Sequence, residues 1–238
     1  MKVRFAHRFG GVLMLSASLL AQGASPDEQV AALKRSLQES QTGIRKYEWI
    51  QTTAISLKGE EKSRDQKRCY YGADGKLQKL PVAAPAPKQA AQAGGGRGGR
   101  VRERVVENKK DEMKEYMEKA VALIQTYVPP DPAKVQAAKD ANKMKVQVLE
   151  PGKRLRLEFK DYLQPQDLLA LELDPAAAQL LTVNVATFLG SADDPVGLTV
   201  KFGALADNTS YPAEITLDAK AKNIRVVVSN SGYKPIAR

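Results

Sequence analysis

The sequence predicts an α+β domain in which helices pack on one face of an antiparallel sheet. Three observations carry this. From Leu155 onward the chain is a succession of short runs that alternate apolar and polar residues between turn signals, the pattern of strands buried on one face only. Residues Glu103 to Tyr127 instead carry one broad apolar stripe at helical period, made by Met113, Tyr116, Met117, Ala120, Leu123, Ile124 and Tyr127. A shorter helix and a strand meander precede both.

The first two dozen residues read as a secretory signal over 1–23. Lys2, Arg4 and Arg8 form the positive start, Gly10 to Ala21 the apolar run, and Ala21-Gln22-Gly23 the small-residue cleavage site, with the cut near Gly23 or Ala24. The apolar run falls short of the roughly 20 residues that span a bilayer. Residues 24–238 are therefore expected to be one soluble domain, periplasmic or secreted.

Pro26-Asp27 opens a helix with Val30, Leu33 and Leu37 on one face, fading by Gly43. Tyr47 to Leu57 is rich in β-branched and aromatic residues and puts Tyr47, Trp49, Gln51, Thr53, Ile55 and Leu57 on one side. Lys58-Gly59-Glu60 turns into a more polar strand through Arg64 to Tyr71, and Asp74-Gly75 turns again before Leu77. From about 81–102 the composition shifts to Pro, Ala, Gly and Arg, with nothing to form a core, which predicts a disordered surface loop. After the long helix, Pro129-Pro130 is a stop, and Asp131-Pro132 is an N-cap with proline at the first helical position, opening a short helix to about Asn142. Strands follow at Leu155–Phe159, Leu169–Leu173, Leu181–Leu189, Leu198–Phe202, Tyr211–Leu217 and Ile224–Val228.

Two scarcities narrow the chemistry. The single histidine, His7, lies in the signal, and the single cysteine is Cys69. The remaining chain cannot build a Ser-His-Asp or Cys-His site, a histidine-bearing zinc site or an internal disulfide. No spaced motif supports a Ser-Lys pair, so no catalytic residue, metal or cofactor is expected. Cys69 sits among Lys67, Arg68 and Tyr70, where cations could activate a thiol. The plainer reading is a small apolar residue on a strand.

The formal charge is +10, and residues 58–110 hold 14 Lys or Arg against 6 Asp or Glu. Gly94 to Arg100 lacks the Gly-Lys-Ser/Thr context of a phosphate loop, and its Arg-Gly-Gly repeats lack interleaved aromatics, so nucleic acid is not an expected partner.

The order of helix, meander, helical insertion and closing antiparallel strands resembles the LolA-like lipoprotein-carrier superfamily over nearly the whole chain after the signal. Tyr47-Glu48-Trp49-Ile50-Gln51-Thr52 is similar to that group's first strand, and Tyr211-Pro212 through Val228 to its closing hairpin. The resemblance implies a strongly curved sheet, an incomplete β-barrel, covered on its concave side by helices, with an acyl chain of a lipid or lipoprotein held between. Trp49, Met113, Tyr116, Met117 and Leu123 would then line the cavity, the methionines adapting to varied acyl contours. Read as a helical stripe alone, the same residues are core. Two functions follow from different classes. One is an exported monomeric carrier or sensor of an acyl chain. The other is an envelope interaction protein whose Arg97, Arg100, Arg102 and Arg104 contact an anionic membrane surface or partner.

Overall fold

The computed structural model describes residues 26–82 and 99–236. The expected signal over 1–23 lies outside them, as does most of the expected loop, Arg97 included.

Helix α1 spans Pro26–Gly43 and a 3-10 turn covers Ile44–Lys46. A hairpin and third strand follow: β1 Tyr47–Leu57, β2 Glu60–Tyr71 and β3 Leu77–Pro81. Then come α2 Gly99–Gln125 and α3 Pro132–Asp140. The rest is meander: β4 Met144–Glu150, β5 Arg154–Lys160, β6 Leu168–Asp174, β7 Gln179–Phe188, β8 Pro195–Ala204, β9 Ser210–Ala219 and β10 Ile224–Pro235.

The strands form one sheet in the order β3-β2-β1-β10-β9-β8-β7-β6-β5-β4, every neighbouring pair antiparallel. The sheet stays open, with β3 and β4 at its edges. The amino-terminal hairpin is attached through β1 to the last strand, β10, so the two ends of the described chain meet inside the sheet.

One face carries the core. Register stacks Phe159, Leu169, Val185, Leu198, Leu217 and Val226 across β5 to β10 as direct partners. Against them pack Ala120 and Ile124 from α2, Tyr127 from the turn that closes it, Ala138 from α3 and Leu37 from α1. The opposite face is polar: Arg154 and Arg156 flank Glu172, at 2.7 and 3.9 Å. This is the one-sided packing that the strand alternation predicts.

Local chemistry explains the ends of the elements. Asp131 caps α3, its carboxylate accepting from Ala133 N at 2.9 Å, with Pro132 beside it as expected. Gly43 ends α1 where a Cβ would overlap Thr209 Oγ1, so only glycine lets the helix end sit on the β8–β9 turn. Ser40 Oγ accepts from Ser210 N at the start of β9, the next residue along. The loop between β5 and β6 folds around the buried Asp167, which accepts backbone N–H groups from Tyr162, Leu163 and Gln164.

Most strands run a few residues beyond the sequence reading, and three larger differences stand out. Helix α2 begins at Gly99, not Glu103, so Arg100 and Arg102 stand in its first turns rather than in the expected loop, and Arg104 follows. Strand β4 was not anticipated. Its Met144, Val146 and Val148 alternate with Lys145 and Gln147, but a register shift between Val148 and Glu150 interrupts the period. Strand β10 continues to Pro235 through the polar Ser229–Gly232 segment, held by pairing with β1 rather than by an apolar pattern.

Candidate functional site

A cleft of about 620 Å³ opens between α2 and the neighbouring strands β1 and β10. Its floor comes from register: Ile55 pairs with Val226 and Leu57 with Ile224, which sets four apolar side chains side by side on the core face. Its roof is a single ridge of α2. Met113, Met117 and Val121 recur every four residues and so stand one above another on the helix surface. Lys62, Lys114, Glu118 and Gln125 provide polar groups among the lining residues.

The cleft exists because α2 has two ridges with different duties. Ala120, Ile124 and Tyr127 are buried in the core against the β5–β9 part of the sheet. The ridge of Met113, Met117 and Val121 overhangs β1 and β10 without filling the space beneath. Ile55 on the floor and Val121 on the roof remain 39% and 41% exposed, an unusual state for large aliphatic side chains facing each other across a fold.

Of the five cavity residues expected from the sequence, Met113 and Met117 line the cleft. Met117 and Leu123 are both half-buried and pack against the core cluster, Leu123 without lining the cleft. Tyr116 turns toward the β7–β8 connection, where its hydroxyl donates to Asp194 at 2.5 Å and Lys222 Nζ stands 5.6 Å from its ring centre. Burial first, then the bond to Asp194, holds this phenol well above its ordinary pKa. It ties the helix to the sheet.

Trp49 lies elsewhere. Its indole N–H donates to Asn230 Oδ1 at 3.1 Å, and its ring stacks on Tyr233 with centroids 5.5 Å apart. Tyr71 and Tyr211 complete an aromatic cluster separate from the cleft. Ile55 is six positions beyond Trp49 along β1, roughly 20 Å of extended chain, so sharing a face of the strand did not mean sharing a site.

The apolar cleft residues that sequence reasoning passed over are Ile55, Leu57, Val121, Ala122, Ile224 and Val226. Four were legible as apolar strand positions. Their meeting required knowing that β10 lies beside β1.

The basic character of the middle segment is partly neutralised where its side chains are described. Arg64 pairs with Glu61 at 2.6 Å, Lys67 with Asp65 at 3.0 Å, and Lys62 with Glu60. Each is an exposed pair that solvent screens, so it neutralises charge locally and adds little to stability. Among the described residues no group of three His, Cys, Asp or Glu could hold a metal ion, and no helix is long and apolar enough to cross a membrane.

No family model matches the chain, and no curated protein matches it. Among solved structures, a LolA superfamily protein from Nitrosomonas europaea is 10% identical with a TM-score of 0.33, covering 87% of this chain and 94% of that one. A DUF1329 family protein from Desulfovibrio piger is 7% identical with a TM-score of 0.34, covering 88% and 92%. MucB, solved in complex with MucA(peri), is 10% identical with a TM-score of 0.20, covering 87% and 99%. The chain is thus remotely similar to a solved member of the LolA superfamily, the group that its order of elements resembles.

Proposed function

We propose that the protein is an exported, non-catalytic carrier or sensor that holds an acyl chain of a lipid or lipoprotein in the cleft between α2, β1 and β10, its helices covering the concave side of the sheet. The observation that supports this reading is the cleft itself. Eight apolar side chains line it, Ile55, Leu57, Met113, Met117, Val121, Ala122, Ile224 and Val226. Its volume of about 620 Å³ lies within the usual range for small-molecule sites.

Each methylene moved from water into such a space contributes about 0.8 kcal/mol, so a chain of ordinary length gains enough to offset its lost freedom. Met113 and Met117 suit a variable occupant, because an unbranched thioether side chain re-packs at little cost. The lysines among the lining residues can meet a polar headgroup while the chain lies inward.

The test is uptake of a fluorescent fatty acid, read together with thermal melting. The wild type should take it up. Met117→Glu and Val121→Glu should lose uptake, because each puts a charge against the bound chain. Val121 is 41% exposed, so its variant should melt near the wild type and separate loss of binding from loss of fold. A wild type that takes up no fatty acid would overturn the reading.

A further inference from the structure

Strand β4 is an edge of the sheet, paired only with β5. An edge of this kind presents a row of backbone N–H and C=O groups that can extend the sheet into another chain. Its side chains are unusual for an edge: Val146, Val148 and Leu149 are 52%, 62% and 44% exposed. Val146 faces Leu157, and Val148 faces Leu155. Leu157 in turn faces Leu171, so this exposed strip continues the core face of the sheet.

The irregularity in β4 sets which charges share a face. Lys145 stands opposite Glu158 and Gln147 opposite Arg156, on the polar face. Alternation alone would turn Glu150 to the core face. The register shift makes Leu149 an extra residue, so Glu150 comes opposite Arg154 and returns to the polar face beside Lys145 and Gln147.

We infer that the protein pairs with a second copy of itself through β4, antiparallel and two-fold about Gln147. In that register Val146 meets the second copy's Val148 on the apolar face, twice by symmetry. With Leu149 bulged out, Lys145 meets the second copy's Glu150 on the polar face, also twice. The strand is complementary to itself on both faces at once. An edge lysine and a bulge are also devices that deter pairing. Here the apolar side chains are not withdrawn and an acid answers the lysine. Edge β3 also exposes apolar side chains, Leu77 and Leu80, but it is five residues long, ends at Pro81 and carries no acid to answer Lys79.

This departs from the monomer expected from the sequence and stands apart from the carrier reading. Strand β10 is six strands from β4, roughly 29 Å across the sheet, so the cleft stays clear of the joint.

Sedimentation velocity across a concentration series tests it. The full chain should sediment as a dimer. Val148→Lys should yield a monomer with unchanged melting, because the site is exposed. Lys145→Glu and Glu150→Lys should each weaken the dimer about tenfold or more by setting like charges opposite one another, and the double exchange should restore it. A monomeric wild type, or a dimer indifferent to Val148→Lys, overturns the inference. Failure of the double exchange to restore the dimer overturns the register and the inference with it.

Discussion

Tyr127 donates its phenolic hydrogen to Asp167 across 2.6 Å, with both side chains buried. Tyr127 immediately follows α2 in its closing turn, and Asp167 organises the loop between β5 and β6. Thr187 Oγ1 on β7 lies 2.8 Å from the same phenol and accepts from Gln164 Nε2 at 2.7 Å. One small polar network therefore joins the helix end, the loop and the sheet.

Removing its acceptor should be costly. Asp167→Ala leaves three backbone N–H groups and the Tyr127 hydroxyl without their partner in a buried site. The expected loss is at least about 3 kcal/mol. Urea denaturation should show a lower midpoint with an unchanged slope. A midpoint equal to that of the wild type would contradict the role given to Asp167.

A milder effect is expected at the α3 cap. Asp131→Ala deletes the side-chain acceptor for Ala133 N and should cost about 1 kcal/mol in the same denaturation experiment. Asp131→Asn retains an acceptor and should recover most of that loss.

Alkaline pH should destabilise the fold. Burial is the first cause holding Tyr116, Tyr127 and Tyr233 above their ordinary 10.0. Asp194 adds to it at Tyr116, Asp167 at Tyr127, and Tyr211, Cys69 and Tyr71 at Tyr233. A phenol whose pKa is higher folded than unfolded contributes stability that is complete below about pH 10 and is lost as the pH rises further. Melting temperature followed from about pH 8 to about pH 12 should stay level and then fall from near pH 10. A level profile to the end of the range would count against it.

Cys69 should be inert in the native protein. It is fully buried, and burial pushes its thiol up against the opposing pull of Lys79 and Lys67. Iodoacetamide should label it slowly when folded and readily in denaturant. Equal rates in the two states would revive the activated thiol that the neighbouring cations suggested.

Much of the fold was legible because most strands obey a simple rule. Val183, Val185 and Thr187 are buried on one side of β7, as their alternation predicts. The short helix was announced by Asp131-Pro132, where cap chemistry is local. What escaped was decided by neighbours. Nothing near Ser229 says that β10 continues, because its support comes from β1, far away in sequence. The site divided in the same way. The stripe on α2 could be read, but Met113 and Met117 differ from Leu123 only in which ridge of the helix they occupy. The crossing of helix over sheet decides which ridge is buried. Tyr116 looked apolar by spacing, and its hydroxyl found Asp194 on a turn 78 residues away.

The attachment of β1 to β10 also sets a schedule for the growing chain. Strands β4 to β10 follow one another as a meander and can pair as each is made. The hairpin of β1 and β2, made much earlier, has no seat until the last strand exists, so it waits through most of synthesis with an unpaired edge. Contacts that close so long a stretch of chain form slowly, and an unseated hairpin is exposed to wrong partners meanwhile. A polypeptide halted before Ile224 would thus lose more than its final strand. Its first strands would have nothing to join, and the floor formed by Ile55 and Leu57 would never meet its other half.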